Sequence, residues 1–396
     1  MTKVGEKMKG LKKFVLDMDM PLLIITIILF VFGLLNIVNA SSQAVVIRYG
    51  TNLYNFFYKQ LINLLIGSFA AIIILKVPTR KYYRLVPFVY IVILSLLVYL
   101  TLFGESYLGS VNWININGFK FQPSEFSKPV MIVSVSLLFE RFCSRLRNNK
   151  KYTARDHYNM IGIIILIGIL FPVFIFLQKD LGTMLILVSL FGILFLGSPI
   201  ERQEKIYTLI FVFVVFCIAC FIYIAKTGSL FTEEQKSRFD FIDPCSNYEE
   251  GGYQTCNGFI AINSGGLFGV GIGNSKQVSY LPESHTDSVF AIVAEEYGFL
   301  FCTVLFILYS IVLYRIFRLS SVTNTIRGKY ICLGIGSYIA LHIIINLGGL
   351  FGSMPLTGVP LPFLSYGGSY TISLVCSLAV VQRIAIEKNR QKIKIR

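Results

Sequence analysis

Charged residues are scarce in this chain, and long apolar runs are frequent. Lys, Arg, Asp and Glu together account for 14% of its 396 residues, whereas 55% of the residues are apolar. The apolar residues recur in runs of roughly 18 to 25, the length that an α-helix needs to cross a bilayer. This composition excludes a soluble globular protein and predicts an all-α, polytopic membrane protein.

Acidic residues are fewer than basic ones, with 21 Asp and Glu against 36 Lys and Arg and a formal net charge of +15. In a soluble protein, such an excess would suggest nucleic acid as a partner. Here the basic residues lie almost wholly in short loops and tails beside apolar runs, where they orient membrane spans. We therefore expect membrane lipids around the chain and no nucleic acid.

No cleavable signal sequence is evident at the start of the chain. Lysines between Lys3 and Lys13 lead into a full-length apolar run, without the small-residue site at which a signal peptide is cleaved. The first span is therefore expected to remain as an anchor.

The apolar runs predict about ten transmembrane helices. Their approximate limits are residues 21–39, 57–75, 85–103, 123–140, 160–177, 181–198, 206–225, 288–314, 330–352 and 364–384. With ten spans, most lysines and arginines fall on the same side of the membrane as both ends of the chain. An odd number of spans would scramble this separation.

Since basic loops resist translocation, this side is expected to be the cytoplasm. The chain is then a single membrane domain over 1–396, with cytoplasmic tails at 1–19 and 385–396. A large external loop, 226–287, joins the seventh and eighth helices. The other external segments are 40–56, 104–122 and 353–363.

The eight cysteines are used in two ways. Most lie in or beside apolar runs, where a free thiol behaves as a small hydrophobic side chain. The pair Cys217 and Cys220 has no His or acidic neighbours, which favours packing over metal binding. Cys245 and Cys256 instead lie in the external loop, where a bridge would stabilise the loop by roughly 2 to 3 kcal/mol. The sequence is equally compatible with two free thiols.

The external loop also contains glycines in close succession at positions 265, 266, 269, 271 and 273. No GK[ST] sequence follows them, no strand precedes them, and they are on the wrong side for cytosolic nucleotides. A turn or close backbone packing is therefore favoured over a phosphate-binding loop.

Three polar clusters lie near the external face. In the first, Glu125 and Lys128 are three residues apart and hence neighbours on a helix, which a local ion pair would explain as well as a functional role. In the second, Asp180 follows a turn and could simply cap the next helix. The third holds Lys276, Glu283, His285 and Asp287 before the eighth span, with Glu295 and Glu296 two turns inside it.

Two adjacent acids at the depth of Glu295 and Glu296 cannot both face lipid, because a central charge costs roughly 2.5 to 3.5 kcal/mol. Two alternatives remain open: one of them pairs with Lys128, or one has a direct catalytic role. Prolines and glycines between Pro355 and Ser369 break the helical pattern, which a membrane tolerates only where the backbone lines a cavity or is buried in protein. His342 and Asn346, one turn apart in the ninth span, predict interhelical hydrogen bonds.

Together the clusters supply acids, bases and hydroxyls beside lipid. An amphiphilic, lipid-linked, negatively charged substrate would fit, with its tail between spans and its head against Lys128 or Lys276.

Four ordered motifs carry a resemblance to a known family: QPSEFSK, QKDLGT, SGGLFGVGIGNSKQ…YLPESHTD…AEEYG and PLTGVPLPFLSYGGS. They resemble the signatures of the SEDS (shape, elongation, division and sporulation) family, which includes FtsW, RodA and SpoVE, and the NSKQ and YLPE segments are more similar to FtsW. The resemblance implies a peptidoglycan glycosyltransferase of the bacterial cytoplasmic membrane that polymerises lipid II on the outer face. It further implies a class B penicillin-binding protein as partner, within the division or elongation machinery.

The resemblance also implies that Asp287 is the catalytic residue. We expect it to act as general base on the acceptor's 4-hydroxyl, in a single inverting displacement. Lys128, oriented by Glu125, and Lys276 would stabilise the pyrophosphate, alone or with a divalent cation such as Mg or Mn, and no organic cofactor is expected. Ser365 would hydrogen-bond a sugar or phosphate, or cap the tenth helix. The other predicted substrate-binding residues are Trp113, Asp180, His285 and Glu296.

Two positions depart from the family pattern. Asn112 precedes Trp113 where the family usually has arginine, so that arginine's role cannot be carried over, and Lys179 stands where the family usually has proline. Lys179 could supply part of the missing positive charge.

Two other functions compete with the enzyme. A lipid II flippase would use the buried acids as a relay, although no inverted internal repeat is visible. An inactive scaffold that recruits the penicillin-binding protein would not need Asp287.

Overall fold

The structure is a computed structural model that describes most of the chain. The described residues are 14–48, 54–105, 111–116, 119–148, 153–227, 243–246, 248, 252–281 and 284–395. Of the residues singled out above, Lys3, Lys13 and Glu283 lie outside them, and so does the side chain of Cys220. Much of the predicted external loop, between 228 and 251, also lies outside them.

Eleven long helices make up the described fold. They are α1 (Met20–Arg48), α2 (Asn55–Lys76), α3 (Tyr82–Phe103), α4 (Pro123–Asn148), α5 (Ala154–Leu177), α6 (Leu181–Leu196), α7 (Arg202–Thr227), α8 (Tyr253–Gly265), α9 (Val289–Val322), α10 (Ile326–Leu350) and α11 (Gly368–Ile395).

The prediction of an all-α membrane protein with about ten spans is confirmed, because each predicted span coincides with one helix. Seven helices within the described ranges are long and apolar enough to cross a membrane, and α6 is a shorter apolar helix. The exceptions to the prediction are minor. A short antiparallel hairpin, β1 (Ile114–Ile116) with β2 (Phe119–Phe121), precedes α4. The last helix begins at Gly368, after the proline-rich segment rather than within it.

Helices α10 and α11 form the interior of the bundle and are mostly buried, with α11 packed along α2 and α10 against α4 and α9. Peripheral helices present large apolar side chains outward, among them Leu65, Phe69, Phe88 and Phe103. Such an apolar surface is unfavourable in water and favourable in lipid, which explains why the sequence contains few charged residues.

Helix α9 is interrupted at Gly298, whose φ of 76° and ψ of 179° are not helical. The glycine-rich segment after α8, residues 266–276, packs into the interruption. Val270 N and Gly271 N donate to the carbonyls of Glu295 and Glu296, at 2.9 and 3.1 Å. On the other side of the break, Phe299 N and Leu300 N donate to carbonyls of Gly266 and Leu267. Backbone groups that the break would otherwise leave unpaired inside a membrane helix are thus satisfied.

The glycine-rich segment of the external loop therefore lies deeper along α9 than the sequence indicated. Gly298 lies nine residues into α9, about 13 Å along its axis at 1.5 Å per residue. Both expected uses of the glycines are present: Gly265 and Gly269 pack closely against the backbone of α9, whereas Gly266, Gly271 and Gly273 have the positive φ of turn glycines. A disulfide joins Cys245 to Cys256, which links the 243–246 segment to α8.

The segment 355–367 returns from α10 to α11 as irregular backbone. It is packed inside the protein, with Leu361, Phe363 and Leu364 almost fully buried. The hydroxyl of Tyr309, on α9, donates to the carbonyl of Pro362. This arrangement satisfies the requirement that non-helical backbone at membrane depth be enclosed by protein.

Candidate active site

Asp287 lies in the turn that enters α9, and its side chain is half-buried. Its Oδ1 accepts hydrogen bonds from Gln254 Nε2 of α8 and from the hydroxyl of Thr286, each at 3.3 Å. Ser288, the residue before α9, receives a second bond from Gln254 at 2.8 Å. The carboxylate is therefore oriented by a side chain of the preceding helix.

The turn is also anchored through the residues before Asp287. The hydroxyl of Ser284 donates to the carbonyl of Ala40 in α1, at 2.7 Å. The carbonyl of His285 accepts from Tyr366 N at 2.8 Å, and the imidazole packs against the ring of Phe56 at an interplanar angle of 38°, with 4.3 Å between centroids. His285 is buried and serves as a packing centre between α2 and the segment 355–367.

The residues Thr357 to Pro360, which we call the hinge segment, pass beside Asp287. Asn346 of α10 donates to the carbonyl of Asp287 at 2.7 Å and to that of Val359 at 2.8 Å. Gly358 has a φ of 69°, and a Cβ there would lie 4.0 Å from Asp287 Oδ2. A glycine at this position therefore suits the left-handed backbone and keeps the space beside the carboxylate open.

Asp180 approaches the same segment from another direction. Its Oδ1 caps α6 by accepting Thr183 N at 3.1 Å, which confirms the capping expected of it. Its Oδ2 accepts from the amides of Asn112, at 3.1 Å, and Gln122, at 3.3 Å. Gly182, two residues after Asp180, packs against Thr357. A Cβ at position 182 would lie 2.9 Å from the carbonyl oxygen of Thr357.

Asn112 and Lys179, the two departures from the family pattern, lie beside Asp180. The Asn112 amide, at the position where the SEDS family usually has arginine, donates to Asp180. Lys179 is exposed and has a φ of 62°, a left-handed conformation that proline cannot adopt, so the turn differs from one built on the family's proline.

Lys128 is buried, with 1% of its surface exposed. An ammonium group has three N–H donors. Here Nζ lies 2.8 and 2.9 Å from the two carboxylate oxygens of Glu125 and 3.2 Å from Nε2 of His342. The predicted Glu125–Lys128 pair is present, and the ammonium is enclosed by protein partners.

His342 connects this pair to the hinge segment, because its Nδ1 lies 3.1 Å from the carbonyl oxygen of Pro360. A carbonyl can only accept and an ammonium can only donate. The imidazole therefore carries its proton on Nδ1 and presents the Nε2 lone pair to Lys128. The clusters around Asp287, Asp180 and Lys128 thus all border the hinge segment.

Glu295 and Glu296 are held elsewhere. Glu295 accepts from the hydroxyl of Ser275 and from the backbone N–H of Lys276, and Glu296 accepts from Gly273 N at 2.9 Å. The alternative that either acid pairs with Lys128 is wrong, since Glu125 and His342 occupy that ammonium. Both acids instead bind the glycine-rich segment, where backbone N–H donors compensate their burial.

The remaining predicted residues have the following positions. Lys276 is exposed at the end of the glycine-rich segment, and Trp113 lies half-buried just before β1. The Ser365 hydroxyl accepts Leu361 N at 2.8 Å, so it closes a turn instead of capping α11. Ser369 contributes another link, accepting Gln122 N at 2.9 Å.

Sequence reasoning missed Gln254 and left His342 and Asn346 without a specific role. The spacing of His342 and Asn346 correctly indicated one polar face of α10. Their partners are the hinge segment, Lys128 and Asp287 rather than side chains of a neighbouring helix alone.

The described side chains could provide only part of the coordination of a divalent cation. Within the described ranges, no group of three or more His, Cys, Asp or Glu side chains could hold a metal ion. Mg²⁺ is often bound by one or two carboxylates together with substrate phosphates and water. Asp287 would fit such a site, whereas a cage built only of described protein side chains would not.

Comparison with known proteins gives a consistent result. Residues 20–390 match the model of the cell cycle protein family that comprises FtsW, RodA and SpoVE. The probable peptidoglycan glycosyltransferase FtsW of Bacillus subtilis strain 168 is 31% identical over 382 residues, which cover 95% of this chain and 92% of the relative. The peptidoglycan glycosyltransferase MrdB of Escherichia coli strain K12 is 30% identical over 371 residues, which cover 93% of each.

The fold is also found among solved structures. One solved structure is described as "Structural coordination of polymerization and crosslinking by a peptidoglycan synthase complex". A chain of that structure superimposes on this one with a TM-score of 0.70. The match covers 94% of this chain and 98% of that one, at 21% identity.

Proposed function

This chain belongs to the cell cycle protein family of FtsW, RodA and SpoVE, and from that premise we propose that it is a peptidoglycan glycosyltransferase that polymerises lipid II. The proposal rests on the carboxylate of Asp287. Gln254 and Thr286 orient this group, the glycine at position 358 leaves space beside it, and the apolar helix α9 begins two residues later. A lipid-linked sugar needs this combination of a positioned polar group and adjoining lipid.

Asp287 acts as the general base. It takes the proton from the 4-hydroxyl of the acceptor sugar while that oxygen attacks the anomeric carbon of the donor and the bond to undecaprenyl pyrophosphate breaks. A positioned carboxylate contributes about 10²- to 10⁴-fold to such a step. One direct displacement converts an α-linked donor into a β-linked product, so no covalent enzyme intermediate and no nucleophile such as Ser365 is required.

The leaving pyrophosphate needs positive charge more than it needs a proton. Lys128 can approach it only by giving up Glu125 or His342, because these two residues occupy its three donors. Exposed Lys276 is available without such a change. A divalent cation, Mg or Mn, would neutralise the pyrophosphate when bound, with Asp287 as its protein ligand.

We infer the setting of the reaction from the family and the distribution of charge. In this proposal the chain is a single domain in the bacterial cytoplasmic membrane, with both termini in the cytoplasm and the 226–287 loop outside. The structural neighbour described as a synthase complex that couples polymerization to crosslinking supports a class B penicillin-binding protein as partner. The more FtsW-like motifs favour division over elongation.

The decisive experiment compares purified wild-type protein with Asp287→Ala. Each variant is incubated with its penicillin-binding partner, lipid II and Mg²⁺, and glycan strands are resolved on a gel. We expect the polymerisation rate to fall by about 10²-fold or more on loss of the base. Asp243→Ala, which removes an exposed external aspartate that contacts Ser246, should retain wild-type activity.

Thermal unfolding of each variant checks that the loss is not one of folding. Equal amounts of polymer from wild type and Asp287→Ala would overturn the base assignment. If neither produces polymer but both transfer lipid II across vesicle bilayers, the protein is a flippase.

A further inference from the structure

The polar face of α10 joins the Asp287 turn to the hinge segment. One amide group, that of Asn346, donates both of its N–H bonds to backbone carbonyls that belong to different motifs. The first carbonyl is that of Asp287 itself, and the second is that of Val359, next to the glycine that faces the Asp287 carboxylate. Asn346 is 3% exposed, so water does not replace these bonds easily.

We propose that Asn346 is a positioning residue for the reaction: it fixes the distance between the Asp287 carboxylate and the Gly358 backbone, and with it the width of the acceptor site. This inference rests on the proposed function of Asp287. The residue does not touch the substrate and acts through Asp287 and the hinge segment.

Two features make a merely structural role insufficient. The two carbonyls that Asn346 binds lie outside any helix. A bond that only holds a bundle together would join two helices. Its amide also bonds to the main chain of Asp287, where a displacement of the backbone moves the carboxylate directly. A misplacement of about 1 Å in a reacting group can cost 10²-fold in rate.

His342, one turn earlier, bonds to Pro360 in the same way, so the hinge segment is held at two successive residues. Its other nitrogen is engaged by Lys128 rather than by Asp287. Asn346 is therefore the member of this face that controls Asp287.

The test uses Asn346→Leu, which keeps the approximate size of the side chain but removes both donors. Asn346→Gln, which keeps the amide on a longer stem, is the conservative variant. Ile345→Ala is the matched control, because Ile345 is a buried apolar neighbour on the same helix.

We expect Asn346→Leu to lower kcat for lipid II polymerisation by about 10- to 100-fold with little change in KM. Asn346→Gln should recover part of the loss. Ile345→Ala should lower the melting temperature while kcat stays within about threefold.

A second measurement does not depend on activity. Hydrogen–deuterium exchange of the full-length protein in detergent should become faster in peptides covering 284–288 and 357–361 for Asn346→Leu, and not for Ile345→Ala. Unchanged exchange in these peptides would overturn the proposal, as would an unchanged kcat. If wild-type protein makes no polymer, the proposed function fails, and the exchange data still decide whether Asn346 tethers the turn.

Discussion

At the scale of single residues, Lys128 is a charged side chain that is almost completely buried. A charge removed from water is tolerated only where partners replace its hydration, and Lys128 has a carboxylate and an imidazole nitrogen at hydrogen-bond distance. The rings of Tyr338 and Tyr370 lie 5.8 and 6.0 Å from its Nζ and add a weaker attraction for a cation. The ion pair is thus part of the scaffold around the hinge segment.

Glu125→Ala should therefore destabilise the protein strongly, because it leaves a buried ammonium without its counter-charge. We expect a loss of about 3 to 5 kcal/mol in the free energy of unfolding. The comparison is Glu204→Ala, which removes a partly exposed partner of His157 and should cost less than about 1 kcal/mol. Denaturant titrations of the two variants in detergent measure both values, and similar losses would contradict the buried pair's importance.

At the scale of an element, α9 shows how a membrane helix can be broken without leaving backbone groups unpaired. Gly298 takes a left-handed φ, and the glycine-rich segment supplies donors and acceptors on both sides of the break. Close approach of two backbones is possible only without side chains at the contact, which explains the glycines at positions 269 and 298. The acids Glu295 and Glu296 then bind N–H groups of the same segment.

Gly298→Ala should be poorly tolerated. A methyl group at this position would clash with the backbone at Gly269, and the left-handed φ adds strain. We expect a destabilisation of more than about 1 kcal/mol. Gly192→Ala is a matched control in the interior of α6, because nothing lies within 4 Å of a Cβ there. It should be neutral or stabilising by up to about 1 kcal/mol. Melting temperatures in the same detergent distinguish the two, and a neutral Gly298→Ala would argue against the observed packing.

At the scale of the whole molecule, the exposed apolar residues of the outer helices are those of a membrane protein, and the alternation of basic loops predicts its orientation in the membrane. Arg202 begins α7 on the side assigned to the cytoplasm, and Lys276 ends the glycine-rich segment on the side assigned to the exterior. Both side chains are exposed. They therefore report on sidedness.

Single substitutions Lys276→Cys and Arg202→Cys test this orientation. In intact spheroplasts, a membrane-impermeant maleimide should label Lys276→Cys above the background of the unsubstituted protein. Arg202→Cys should be labelled only after permeabilisation. The reverse pattern would place the Asp287 turn in the cytoplasm, where an external polymerase could not use it.

The sequence by itself determined the class of fold, the approximate positions of the spans and the motifs near Asp287. Its composition was sufficient because a bilayer selects for apolar side chains over a fixed length, whatever the neighbours of a helix are. Local spacing was likewise sufficient for the Glu125–Lys128 pair and the cap formed by Asp180. In both cases the interacting residues are three positions apart.

Only the tertiary structure decided how these pieces meet. Lys128 and His342 are 214 positions apart, and Asn346 and Asp287 are 59 apart, so no local pattern specifies either contact. The same reason explains the incorrect pairing of Glu295 or Glu296 with Lys128: charge indicates that a buried acid needs a partner but does not say which one. Lipid tails are as apolar as the side chains of the spans and therefore give little preference for one arrangement of spans over another. The lateral order of the helices is therefore set by shape and by polar contacts between distant residues.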